Sequence, residues 1–190
     1  MKKRGRGRSV FKMNKKILVA IGFALVILVG YLFTVNDSNM TQKDNGSKDI
    51  KDLVHDYSIG SVEDQSASIT SHELIVTDQD GSQQSYALPE DEFFVSIAPY
   101  MEQTHPCVIH SLTGCQGELV NEEFDVYIED LEGNVIVDEK INSESNGFID
   151  LWLPRDKTYR ITIANDGKEV KSEISSFEND NTCITTLQLV

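Results

Sequence analysis

Phe124-Asp-Val-Tyr-Ile-Glu129 and Tyr159-Arg-Ile-Thr-Ile-Ala164 carry the reading of the fold. Phe124, Val126 and Ile128 share one face, opposite Asp125, Tyr127 and Glu129. Tyr159, Ile161 and Ile163 likewise oppose Arg160 and Thr162. A period of two with one apolar side is that of a half-covered β-strand. Turn signals punctuate the neighbouring sequence at Glu132-Gly133-Asn134, Asn146-Gly147 and Asn165-Asp-Gly167. Between and around them, strands are predicted over Phe93–Ala98, Glu118–Glu129, Val135–Val137, Phe148–Leu153, Tyr159–Ala164, Val170–Ser175 and Ile184–Leu189.

Working outward, Leu74–Thr77 and Ser85–Leu88 flank Asp78-Gln-Asp80-Gly81 and read as a hairpin. Ile50, Leu53, Val54 and Tyr57 recur at helical spacing, so a short helix capped by Ser47 is predicted, ending near Gly60. Short strands separated by Gly, Asn and Asp turns predict a mainly β chain, an antiparallel β-sandwich with a small α+β N-terminal subdomain. The boundaries expected are 48–103 for the subdomain and 104–190 for the sandwich. The order of turns and strands resembles transthyretin-like and carboxypeptidase-regulatory-like sandwiches, a likeness that bears on fold and not on activity.

The other end of the chain has a different character. Residues 1–16 hold eight Lys or Arg and no acidic residue, and an unbroken apolar run follows from Ile17 to Phe33. Basic segment, apolar segment and polar remainder are the layout of a signal anchor. Seventeen residues of helix reach roughly 25 Å, enough for a short, little-tilted span. No Cys follows the run, which excludes a lipoprotein signal, and no Ala-x-Ala-like site ends it. An uncleaved transmembrane anchor over 17–33 is expected, preceded by a cytoplasmic segment (1–16) and followed by a flexible polar linker (34–47). The alternative is a cleaved signal and a secreted or periplasmic product.

Charge divides at the same place. The chain has 17 basic and 31 acidic residues; removing the 8 basic residues of the first segment leaves 9 against 31 in residues 35–190, a net of −22. Such a surface disfavours nucleic acid and anionic membranes as partners. No motif places a Ser-His-Asp constellation, a phosphate-cradling Gly-rich loop or a carboxylate pair, so no enzymatic activity is expected.

Three cysteines remain: Cys107 and Cys115 in His105-Pro-Cys107-Val-Ile-His110-Ser-Leu-Thr-Gly-Cys115, and Cys183 near the C-terminus. An odd number does not complete a disulfide framework. Cys107 and Cys115 flank a loop able to fold its ends together, and Cys183 opens a final strand that can run beside it. Three thiolates suit Cu(I), a soft ion satisfied by two or three sulfurs. Zinc would require a fourth ligand, for which His105 and His110 are the candidates, as auxiliary ligands or as hydrogen-bonding supports. Met101 is a further candidate sulfur. Spacing alone equally permits one structural disulfide with a spare buried Cys, or a thiol-disulfide redox protein, though no Cys-x-x-Cys pair is present.

Thr104-His-Pro-Cys-Val-Ile-His-Ser-Leu-Thr-Gly-Cys-Gln-Gly-Glu-Leu119 resembles the CueP family of extracytoplasmic copper-binding proteins. So do Phe94–Tyr100, Gly147–Arg155 and Thr182–Leu189. The likeness runs from about Leu53 to the C-terminus. It implies a copper site made by Cys107, Cys115 and Cys183, reduced thiols that handle Cu(I), a role in copper tolerance, and dimers paired through the N-terminal region. A copper acceptor or a thiol reductant is an expected partner. The family's better-known members are soluble and periplasmic, whereas Ile17–Phe33 predicts a tether here.

Overall fold

The computed structural model describes residues 49–190, which fall within one compact unit. The basic segment, the apolar run and the whole linker (34–47) lie outside the described residues. Among those described, no helix is long and apolar enough to cross a membrane.

The described residues are mainly β, with antiparallel sheets and, among them, one short helix, α1 (Ile50–Ser58). The N-cap is Asp49, whose carboxylate accepts from the Lys51 N–H at 3.1 Å. Ser47, expected as the cap, lies outside the described residues. Ile59 and Gly60, the latter at φ +72°, end the helix as predicted. Eleven strands follow: β1 (Gln65–Ile69), β2 (Glu73–Asp78), β3 (Gln83–Ala87), β4 (Glu92–Ile97), β5 (His110–Ser111), β6 (Glu123–Asp130), β7 (Val135–Asn142), β8 (Ile149–Pro154), β9 (Thr158–Asn165), β10 (Lys168–Ser175) and β11 (Cys183–Ile184). They form three sheets, in the orders β3-β2-β1-β5, β10-β9-β6-β7 and β11-β4-β8.

The predicted alternation is present in the four-stranded sheet around β6 and β9. Phe124, Val126, Ile128, Tyr159, Ile161 and Ile163 are buried and pack against Phe93, Val95, Ile97, Ile149, Leu151 and Leu153 of β4 and β8. The opposite side of β4 and β8 is covered as well. Phe94 and Trp152 join a second cluster with Val54 and Tyr57 of α1, Ala67 and Ile69 of β1, and Leu74 and Val76 of β2. Strand β4 is therefore buried on both faces, which explains its nearly continuous apolar sequence. Each buried aliphatic or aromatic side chain contributes about 1.5–3 kcal/mol of hydrophobic free energy.

One feature differs from the sequence-based expectation. The sheets are not wholly antiparallel: β11 runs parallel to β4, pairing Cys183 with Ser96 and Ile184 with Ile97. A parallel bridge joins Tyr100 and Gln188, so the predicted strand Ile184–Leu189 is reduced to a two-residue strand and one bridge. Strands on either side of position 103/104 also pair with one another. Strand β4 pairs with β8 and β11, and β5 pairs with β1 (Ile69 with His110, Ser68 with Ser111). That second crossing brings the cysteine loop onto the N-terminal sheet.

Candidate metal centre

The loop from Pro99 to Leu119 is held at several points. The Glu118 carboxylate accepts from the backbone N–H groups of Met101, Glu102 and Gln103, and these bonds hold its carboxyl below the usual carboxylate range. The Thr104 hydroxyl donates to the Thr185 carbonyl at 2.5 Å, and the Thr185 hydroxyl donates to the His105 carbonyl at 2.6 Å. A turn then folds the chain back, with the Gly114 and Cys115 N–H groups donating to the Ser111 carbonyl. Beyond it, the Gly117 N–H donates to the Asn146 carbonyl at 2.7 Å. Gly117 and Gly147 pass so closely that a Cβ on Gly117 would lie 2.4 Å from the Gly147 carbonyl oxygen. Only glycine fits there.

Cys183 reaches the loop through β11. The Val108 carbonyl accepts from both the Thr182 and Cys183 N–H groups. The Thr182 hydroxyl donates to the Ile69 carbonyl at 2.6 Å and accepts from the His110 N–H at 3.1 Å. This one threonine pins β11 to both β1 and β5.

The result is a compact donor set. The Sγ atoms of Cys107, Cys115 and Cys183 and a ring nitrogen of His110 all lie within 4.8 Å of one another. Cys107 Sγ and Cys115 Sγ are 3.6 Å apart, and His110 Nδ1 is 3.4 Å from Cys183 Sγ. All three cysteines are free thiols. Cys183 (1% exposed) and His110 (0%) are buried, whereas Cys107 and Cys115 are half-buried and form the open side. Ala98 and Phe148 form the apolar floor with Cys183. The Phe148 ring lies 4.5 Å from the His110 ring, centroid to centroid.

Burial decides the protonation states. It pushes the Cys183 thiol well above its ordinary value, with neighbouring Cys107 and Cys115 adding to the effect, and it raises Cys107 as well. Burial, reinforced by repulsion from His105, lowers His110 to about 4. At neutral pH the cluster therefore holds a neutral imidazole beside protonated thiols at Cys107 and Cys183. A cation entering it can displace thiol protons.

The three predicted sulfurs are thus brought together, and of the two auxiliary candidates it is His110 that joins them. His105 stands outside the donor set, half-exposed, with its ring 6.4 Å from that of Phe148. Met101 packs against the main core with its sulfur 3.9 Å from Lys168 Nζ. Two polar residues beneath His110, Ser96 and Asp150, were not singled out in the sequence. Their signal is a polar side chain interrupting an apolar run, in Phe93-Phe-Val-Ser-Ile-Ala98 and Phe148-Ile-Asp-Leu-Trp-Leu153.

No curated protein matches this chain. Among solved structures, the crystal structure of S. CueP superposes with a TM-score of 0.72 at 37% identity, covering 76% of this chain and 91% of that one. The family model described as periplasmic copper-binding protein CueP matches residues 50–188, and with the fold and the cysteine cluster in agreement, the chain belongs to the CueP family.

Proposed function

We propose that this chain is an extracytoplasmic copper-binding protein that captures copper as Cu(I) through Cys107, Cys115 and Cys183, with His110 beside them as a fourth donor. The convergence of three sulfurs and one imidazole nitrogen within 4.8 Å carries the reading. Soft thiolate ligands favour Cu(I), and the family is described as one of periplasmic copper-binding proteins. Zinc is the principal competitor, because three sulfurs and a nitrogen also suit a tetrahedral ion. Binding in this way requires no turnover, so the chain acts as a buffer or a handover protein for copper tolerance and not as an enzyme.

The proximity of Cys107 and Cys115, 3.6 Å apart on the open side, favours a redox step in addition. Two thiols oxidised to one disulfide release two protons and two electrons, which reduce two Cu(II) to two Cu(I). That step consumes two of the three sulfurs, so a thiol reductant must restore them before the full site can hold Cu(I) again. The same proximity is what a thiol-disulfide redox protein would use, and metal-independent reduction of a disulfide substrate would favour that second reading. A structural module with an inert Cys107–Cys115 disulfide would leave one unreactive thiol. The apolar run Ile17–Phe33 supports a tether at the outer membrane face, from which copper passes to an acceptor protein. Pairing as a homodimer belongs to the same proposal and is read from the mass of the native particle.

Cu(I) titration of the reduced chain against a chromophoric chelator tests the core of this proposal. Cys→Ser at any one of the three positions is expected to weaken binding sharply. Three single variants that bind as tightly as the parent would overturn it.

A further inference from the structure

His110 is one end of a buried polar chain crossing four elements. Ser58, the last residue of α1, donates its hydroxyl to Asp150 Oδ2 at 2.5 Å. Ser96 of β4 donates to Asp150 Oδ1 at 2.5 Å, its register partner on β8. Ser96 Oγ also lies 3.2 Å from His110 Nε2, and His110 Nδ1 faces Cys183 Sγ. The surroundings are apolar, with the Phe94 and Phe148 rings against His110 and Trp152 against Phe94. Burial pushes the Asp150 carboxyl above its ordinary value, and the hydroxyls of Ser58 and Ser96 pull it back toward the ionised form.

With both Asp150 oxygens accepting, from Ser58 and from Ser96, the hydrogen inventory of this chain closes in one way. A hydroxyl carries a single hydrogen, and Ser96 gives its own to Asp150 Oδ1. The remaining contact of Ser96 must then be one in which its oxygen accepts from His110 Nε2–H. A neutral imidazole has one N–H, so Nδ1 carries the lone pair and presents it to Cys183 Sγ, on the side of the thiol cluster.

We propose that Asp150 and Ser96 are positioning residues of the metal centre, a carboxylate–hydroxyl relay that fixes the His110 hydrogen on Nε2 and keeps the Nδ1 lone pair directed at Cys107, Cys115 and Cys183. The relay supplies the nitrogen donor of a site otherwise made of sulfur, and it orients the ring without occupying a coordination position. The proposal rests on the copper reading for its second measurement and is independent of it for the first.

The first measurement is long-range ¹H–¹⁵N NMR of the histidine rings in the full, reduced, metal-free chain in detergent micelles at neutral pH. The expected spectrum shows His110 protonated at Nε2 and bare at Nδ1. Ser96→Ala and, with less change of shape, Asp150→Asn are expected to move the ring toward the Nδ1–H form. A parent spectrum with hydrogen on Nδ1 would overturn the proposal without any variant. The second measurement is Cu(I) affinity by chelator competition. Ser96→Ala is expected to weaken binding about 10–100-fold in the parent and to add nothing in a His110→Ala background. Equal weakening in both backgrounds would assign Ser96 a merely structural part and overturn the relay. Tight Cu(I) binding by all three Cys→Ser variants would instead defeat the copper reading and leave the NMR result standing.

Discussion

Acidifying the metal-free protein tests the burial of His110 quantitatively. The imidazole has an ordinary value of 6.5 and is lowered to about 4 in the folded chain. The groups facing it are Cys183 at 3.4 Å, His105, which adds repulsion, and Asp150, reached through Ser96. Above about pH 7 the ring is neutral in both folded and unfolded chains and contributes no pH dependence. As pH falls below 6.5 the unfolded chain takes up a proton that the folded chain refuses, so the folded state loses stability until the folded value is passed. The linkage relation gives a loss of about 2 kcal/mol at pH 5, approaching about 3 kcal/mol below pH 4. Urea denaturation of the reduced, metal-free chain at about pH 7.5 and about pH 5, for the parent and His110→Gln, isolates this contribution because the carboxylates are common to both. The parent is expected to lose about 2 kcal/mol more than the variant. Parallel losses in the two proteins would refute the account of a buried, neutral His110.

Gly117→Ala forces a Cβ to within 2.4 Å of the Gly147 carbonyl oxygen, and is expected to cost about 1–3 kcal/mol in thermal or urea unfolding. Because Cys115 and Phe148 adjoin the displaced segments, Cu(I) affinity should fall in the same variant. The Asp130 carboxylate accepts from the Glu132 and Asn134 N–H groups, the Asn134 side-chain amide and Lys157 Nζ. These partners, Asn134 first, hold it well below the usual carboxylate range. Its stabilisation is present above the ordinary value of 3.8 and lost as pH drops through the folded one, so Asp130→Asn should flatten the acid limb of a stability–pH curve. Cu(I) loading should release protons, measurable in weakly buffered solution, and affinity should rise with pH, since Cys107 and Cys183 are protonated thiols in the apo cluster.

Much of this arrangement is legible in the sequence because its signals are local. Alternation in Phe124–Glu129 and Tyr159–Ala164 marks strands without reference to anything distant, and Gly81, Gly133, Gly147 and Gly167 mark turns in which each adopts positive φ. The middle sheet was less legible. The continuous apolar run of β4 signals burial on both faces, but which elements cover it depends on long-range packing. Strand β1, Gln65-Ser-Ala-Ser-Ile69, has little apolar alternation, and β5 and β11 have only two residues each, too few for any period. The parallel register that sets Cys183 beside Ser96 rests on that shortest kind of element. The spacing of three cysteines permitted a cluster and the family resemblance implied one, yet Cys-x-x-His could not distinguish His110 from His105. One residue lies on a strand facing inward and the other in a loop, a difference decided by pairing with β1. Ser96 and Asp150 escaped notice because a polar residue in an apolar run acquires meaning only once its partners are in place.

X-ray absorption at the copper edge of the reduced, Cu(I)-loaded chain tests the central claim most directly, because it counts the atoms around the ion. The expected first shell holds three sulfurs and one imidazole nitrogen, with one sulfur lost in Cys183→Ser. A shell built from nitrogen and oxygen, or one unchanged when Cys183 is replaced, would contradict it.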